Sequence, residues 1–172
     1  MNWVRHFRII AITLGLLMLT GCFRYSFTGT SIPSDVHSIY LPFFADKSSS
    51  GIGDLGDMLN RALINRFVNQ SRLRLSNTDQ NADIILKGVI TSYNNGPFSI
   101  SGNQKASLNR VTISVNATFK YQKDQKPKWD KTFTGFGDYD PNKDPISGEK
   151  NAAKDAMDQI SRKMFDESIG KW

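Results

Sequence analysis

Between Val111 and Tyr121 the chain alternates at every step. Val111, Ile113, Val115, Ala117, Phe119 and Tyr121 are apolar or aromatic, and Thr112, Ser114, Asn116, Thr118 and Lys120 between them are polar. A period of two over that length predicts a strand with one buried and one wet face. Weaker versions of the pattern predict strands over Val36 to Phe44, Leu73 to Leu75, Ala82 to Tyr93 and Trp129 to Phe136. Pro42 lacks a backbone donor and marks the first of these as an edge, or as near its end. Asp124 to Pro127 turns the chain back on itself. Asn94 to Asn109, rich in Gly, Ser and Asn, reads as a long hairpin connection.

Two segments change period. After the Ser/Gly loop Lys47 to Gly53, the residues Leu55, Leu59, Ala62, Leu63 and Phe67 recur at helical spacing, with Asn60, Arg61, Asn65 and Arg66 on the other side. Asp54 is the expected cap and Gln70 the end. Near the C-terminus Ala153, Ala156, Met157, Ile160, Met164 and Phe165 form a second stripe, with Ser147 as the expected cap and Ile169 as the end. A half-apolar sheet needs a cover, and two amphipathic helices supply it. The expected fold is α+β: a two-layer sandwich with a mostly antiparallel, four- to five-stranded sheet and both helices on one face.

The N-terminus follows a different logic. Arg5, His6 and Arg8 precede an apolar run from Ile9 to Leu19. That run is signal-peptide length and short of the roughly 20 residues that span a bilayer. Leu19-Thr20-Gly21-Cys22 closes it as a lipobox, with a small residue before the cysteine that becomes the acylated first residue. Each buried acyl methylene contributes about 0.8 kcal/mol, so several chains make a lasting anchor. The expected organisation is a cleaved leader over 1–21, a lipidated tether over 22–35 and one domain over 36–172. No Asp follows Cys22 to hold the protein at the inner membrane, and no acidic cluster follows to send it to the cell surface. The expected location is the periplasmic face of the outer membrane.

Composition narrows the chemistry. Removing Arg5 and Arg8 with the leader lowers the formal charge from +6 to +4. The export signal argues against nucleic acid as a partner, and a mildly basic tethered domain suits anionic headgroups or acidic glycolipid. Cys22 is the only cysteine, so no disulfide forms once it is acylated. The mature chain keeps one histidine, His37. A nucleophile needs a base beside it and a zinc site needs three or four ligands, so no catalytic residue, metal or cofactor is assigned. Asp138, Asp140, Asn142, Asp144 and Glu149 have calcium-loop spacing, but Lys143 stands where that loop needs glycine, and a solvated turn is the better reading. What remains is basic: Lys87, Lys105, Arg110 and Lys120, with Lys123, Lys126 and Lys128 at a hairpin tip. Such side chains hold phosphates, or simply keep a sheet edge soluble.

Several segments, taken in order, resemble a known family. Cys22-Phe23-Arg24-Tyr25-Ser26-Phe27-Thr28-Gly29, Ile32-Pro33 and the strand His37 to Phe44 come first. The helix Leu55 to Val68, then Ala82-Asp83-Ile84-Ile85-Leu86-Lys87-Gly88, then Asn109-Arg110-Val111-Thr112-Ile113-Ser114-Val115 and the last helix complete the pattern. Together they resemble the LptE lipoproteins of lipopolysaccharide (LPS) assembly, closest to the Bacteroidetes type. The resemblance implies a non-catalytic protein that plugs and helps assemble the LptD barrel of the outer membrane. Its implied partners are that barrel, LPS itself and, through its lipid, the membrane. Phe23 departs from the glycine common after the cysteine in proteobacterial members, so their lipid-binding residues are not transferred. Arg110, which begins the matching strand, is the first candidate for LPS contact, followed by Lys87, Lys120 and Lys105. A barrel lumen is polar, so Thr112, Ser114, Asn116 and Thr118 are the candidates to face it.

A shorter resemblance competes. Ile39 to Phe44, a glycine loop, a helix and Ala82 to Gly88 are similar to periplasmic α/β lipoproteins that activate peptidoglycan synthases or form secretion rings. Activators of that kind usually carry a long linker toward the cell wall, which the short 22–35 segment does not supply.

Overall fold

The computed structural model describes residues 32–98 and 108–169, together with Trp3. The leader, Cys22, most of the tether and Lys105 lie outside the described residues. The elements are β1 (Ser38–Tyr40), β2 (Ala45–Asp46), α1 (Leu55–Ile64), a π-helical continuation (Asn65–Asn69), β3 (Arg74–Ser76), β4 (Ile84–Phe98), β5 (Leu108–Tyr121), β6 (Trp129–Tyr139) and α2 (Pro145–Ile169). Among the described residues no helix is long and apolar enough to cross a membrane.

Six strands form one mixed sheet in the order β3-β1-β4-β5-β6, with β2 also on β4. The long strands β4, β5 and β6 make an antiparallel meander, as the alternation predicts. The expected four or five strands become six, and the extra pairings are parallel: β1 with β3, β1 with β4 and β2 with β4. The chain leaves β1, crosses through α1 and returns in the same direction as β3, which is what a helical crossover does. The expected strand Val36 to Phe44 is broken. Ladder pairing stops at Tyr40 and resumes at Ala45, and Pro42, which has no N–H to give a ladder, sits in the gap.

Both helices cover one face, and the core lies between the layers. Leu55, Leu59, Leu63 and Phe67 meet Ala153, Met157, Ile160 and Met164 over Ile39, Ile84, Leu86, Ile90 and the odd residues of β5 from Val111 on. Phe67 meets Phe165 edge to face at 5.1 Å. α2 lies unusually close to β6, because a Cβ on Gly135 or Gly137 would fall 2.2 Å from the carbonyl oxygens of Ala156 and Ala152. Only a residue without a side chain permits that contact.

Asp54 holds the expected N-cap position of α1, but neither helix is capped by the side chain expected. Asp54 makes no capping hydrogen bond; its carboxylate turns to Lys150 Nζ at 2.7 Å. Ser147 does not cap α2. Its N–H is the group that is capped, donating to Asp144 Oδ1 at 2.9 Å. Asp144 followed by Pro145 at the first helical position is a strong start signal, since proline lacks the donor that would go unused there.

Candidate functional site

The face of the sheet turned away from the helices is the candidate site. A bulge in β4 between Ile90 and Ser92 sets its composition. Before the bulge Lys87 and Val89 point to the open side; beyond it Ser92, Asn94 and Gly96 do, while Tyr93 and Asn95 turn under α2. Tyr93 Oη donates to Glu149 Oε1 at 2.5 Å and Asn95 Nδ2 to Tyr139 Oη at 2.8 Å. The extra residue therefore spends two polar groups on the helix layer and leaves a long polar row outside.

Across β4, β5 and β6 the open-face rows are Gly96–Arg110–Asp138, Asn94–Thr112–Phe136, Ser92–Ser114–Thr134, Val89–Asn116–Thr132 and Lys87–Thr118–Asp130. Ile85 and Lys120 pair at the end nearest β1. Side chains knit the strands together within rows and, from Asn116 to Asp130, between neighbouring rows. Ser114 Oγ and Thr134 Oγ1 lie 3.0 Å apart, and Asp130 accepts from Asn116 Nδ2 at 3.2 Å and Thr118 Oγ1 at 3.1 Å. The four residues expected on one polar face thus lie in one column, half-buried by their neighbours.

Arg110 stands differently from the lysines. Its Nε and Nη2 bind Asp138 Oδ1 and Oδ2 at 2.6 and 2.8 Å. Its guanidinium carbon lies 3.4 Å from the ring centre of Phe98 and 4.3 Å from that of Phe136. Fork pairing of this kind suits arginine and not lysine. The Arg110 guanidinium holds the Asp138 carboxyl below its ordinary range. Arg110 therefore fastens the far ends of β4, β5 and β6 together. Lys87 and Lys120 lie at the other end of the same face, diagonal to each other across β4 and β5. Lys87 is exposed and Lys120 half-buried beside Ile85.

The pattern of residues did not single out Phe98, Phe136, Asp130 or Asp138 as part of this face. A signal for one was present: Phe136 has the opposite parity to Trp129 and Phe133, which places it on the wet side of the same strand. The acidic residues of calcium-loop spacing do not converge. Asp138 binds Arg110, Asp140 Oδ1 accepts the Asn142 N–H at 2.9 Å, Asp144 caps α2 and Glu149 accepts from Tyr93. Among the described residues no group of three such side chains could hold a metal ion.

The model of a family described as lipopolysaccharide-assembly, LptE, matches residues 36–168. This chain belongs to the LptE family. The match runs from the residues leading into β1 to the last turn of α2, so it includes every element of the sheet and both helices. An LptE role in LPS assembly at the outer membrane follows for the chain as a whole. No curated protein matches the sequence. Among solved structures, the chain is similar to a neuraminyllactose-binding hemagglutinin homolog from Helicobacter pylori. That likeness has a TM-score of 0.55 and 11% identity, over 84% of this chain and 89% of the other. A Xanthomonas campestris protein of the DUF330 family gives a TM-score of 0.53 and 15% identity over 75% and 81%. At these identities the likeness is one of fold.

Proposed function

We propose that this LptE protein is held at the outer membrane by acyl chains on Cys22 and seats its open sheet face in the lumen of an LptD-type barrel. There it supports barrel assembly and the passage of LPS, and it catalyses no reaction. One observation carries the reading: the longest strands of the fold keep an uncovered polar face, with Thr112, Ser114, Asn116 and Thr118 in one column. Such a polar column matches a polar lumen. The dimensions fit too. The tether enters beside β1, and β5, 14 residues long, spans about 45 Å between that end and the opposite one. The lipid can therefore stay at the periplasmic rim while the far end enters the barrel.

Within that reading the anionic parts of LPS meet Lys87 and Lys120, with Lys105 in the connection beyond the strand ends. Arg110, whose charge is already matched by Asp138, contributes by holding the far end rigid. The test is co-purification of the tagged, acylated protein from outer membranes in mild detergent. The wild type is compared with a Ser114→Trp/Thr118→Trp variant whose melting temperature is unchanged. A large barrel in equal amount with the wild type, lost in the variant, supports the reading. Retention of the barrel by the variant assigns the contact to another face. A peptidoglycan synthase, or a ring of this chain alone, replaces the reading with the activator or secretion-ring type.

A further inference from the structure

The end of the fold at which the tether arrives is basic and built onto the tether itself. Arg72 Nη2 donates to the carbonyl oxygens of Ile32 and Pro33, both at 2.5 Å. Asp35 Oδ2 is bound by Lys123 Nζ at 2.9 Å. The turn after β5 carries Lys123, Lys126 and Lys128, and Lys123 and Lys128 lie 6.0 and 5.6 Å from the ring centre of Tyr121. Arg74 opens β3 opposite Ser38, at the same end. Against these cations stand Asp35, bound by Lys123, Asp124, 3.1 Å from Lys128, and Asp83, whose charge also reaches Lys123. The Lys123–Asp35 pair is solvent-exposed, and in the other pair Lys128 is exposed while Asp124 is half-buried, so both lysines exchange partners at little cost. Lys126 is exposed and has no ion-pair partner among the described residues.

Chain length then sets a limit. From Cys22 to Ile32 the backbone reaches at most about 35 Å when fully extended, so an acyl anchor holds this end within that reach of the bilayer. We propose that the hairpin turn with Lys123, Lys126 and Lys128 rests on anionic phospholipid headgroups of the leaflet holding the acyl chains. The contact fixes the long axis of the sheet relative to the membrane. Each lysine at an anionic surface adds about fivefold to the bound population, and tethering removes most of the cost of encounter. The proposal rests on acylation of Cys22 but not on a barrel partner.

Once Cys22 is acylated, a Gln125→Cys change gives the mature chain its single free thiol, and Lys143→Cys gives one at the far end of β6. The full acylated protein is placed in vesicles of phosphatidylcholine, alone or mixed with phosphatidylglycerol. Quenching of a thiol-linked fluorophore by a headgroup-labelled lipid is then measured. Strong quenching at position 125 and weak quenching at 143 is expected on the mixed vesicles. It should fall on the neutral ones, in high salt, and in a Lys123→Gln/Lys126→Gln/Lys128→Gln background. Lys126→Glu alone, which breaks no ion pair, should reproduce part of the loss with the fold untouched. Equal quenching at the two positions, or no difference between neutral and anionic vesicles, overturns the proposal. The mass of the mature protein separates the two ideas. An unacylated chain removes the anchor and the proposal together, whereas an acylated chain with a remote turn removes only the proposal.

Discussion

Ser38 and Asp83 hold each other reciprocally: the Asp83 N–H donates to Ser38 Oγ at 3.0 Å, and Ser38 Oγ donates back to Asp83 Oδ2 at 2.8 Å. The same carboxylate oxygen accepts the N–H groups of His37 and Ser38 at 2.8 and 2.9 Å. The parallel pairing of β1 with β4 covers only Ile39↔Ile84 and Tyr40↔Ile85, so this side-chain staple replaces ladder that is missing. Asp83→Ala is expected to cost about 2 kcal/mol and Ser38→Ala about 1 kcal/mol in urea unfolding. The double change should cost less than the sum, because each residue serves the other.

The staple also sets an acid limit. The His37 N–H, helped by Ser38 and opposed by burial, holds the Asp83 carboxyl below its ordinary range. Its contribution is therefore complete above the unfolded value near pH 4 and is lost as pH falls through the lower folded value. Wild-type stability should drop below about pH 4, and Asp83→Asn should be less stable at neutral pH yet flatter in that window. Urea midpoints measured from pH 6 downward would show whether the slope moves with Asp83.

Gly137 decides how α2 sits. A Cβ there would meet the Ala152 oxygen at 2.2 Å and its Cα at 2.6 Å, backbone atoms that cannot swing aside. Gly137→Ala should therefore cost at least about 2 kcal/mol, at the upper end of overpacking penalties. Gly96→Ala is the control, since its Cβ would meet only Asn94 Oδ1 at 3.7 Å. Equal melting temperatures for the two variants would show that the helix can move away freely.

Much of this architecture is legible in the residues. The alternation of Val111 to Tyr121 gives a strand with those faces, and both helical stripes are the ones buried. What was not legible is pairing direction. Ser38–Tyr40 and Arg74–Ser76 are too short to carry a pattern that distinguishes parallel from antiparallel neighbours, and Ala45–Asp46 is two exposed residues. The Phe98–Arg110–Phe136 stack escaped for a related reason. It depends on β4 running on to Phe98 through residues read as a connection, and on a bulge that reverses the faces of β4 beyond Ile90. Arg110 was legible as the first basic residue of its strand but not as one already partnered, because Asp138 lies 28 residues away.

Tyr93 ties β4 to the first turns of α2 and gives the fold an alkaline limit. Burial first, and then the hydrogen bond to Glu149, push its hydroxyl above the ordinary tyrosine range. The unfolded chain ionises near pH 10 while the folded one resists, so this contribution is complete below about pH 10 and is lost as pH rises beyond it. Tyr93→Phe should lower stability by about 1.5 kcal/mol at neutral pH and reduce the alkaline slope. An unchanged slope above pH 10 would place the titrating group elsewhere, with Tyr121 next to be examined.

Arg110 and the two lysines of the open face should separate cleanly in experiment, because their charges are spent differently. Arg110→Lys keeps the charge but loses the two-pronged grip on Asp138 and the fit between the rings of Phe98 and Phe136. Its main effect should be local. Amide exchange at Asn109 to Val111 and at Phe136 to Tyr139 is expected to speed up about tenfold, equivalent to about 1.4 kcal/mol, while the core exchanges as before. Binding of purified LPS should change little. Lys87→Gln and Lys120→Gln should do the reverse. Exchange at the far end stays the same, and LPS binding weakens by about fivefold for each charge removed, with a shallower salt dependence. If Arg110→Lys weakens LPS binding more than the lysine changes do, without faster exchange at the strand ends, then the guanidinium leaves Asp138 to take the ligand. The fork would then be a resting state of the LPS site, not the fastening of the sheet.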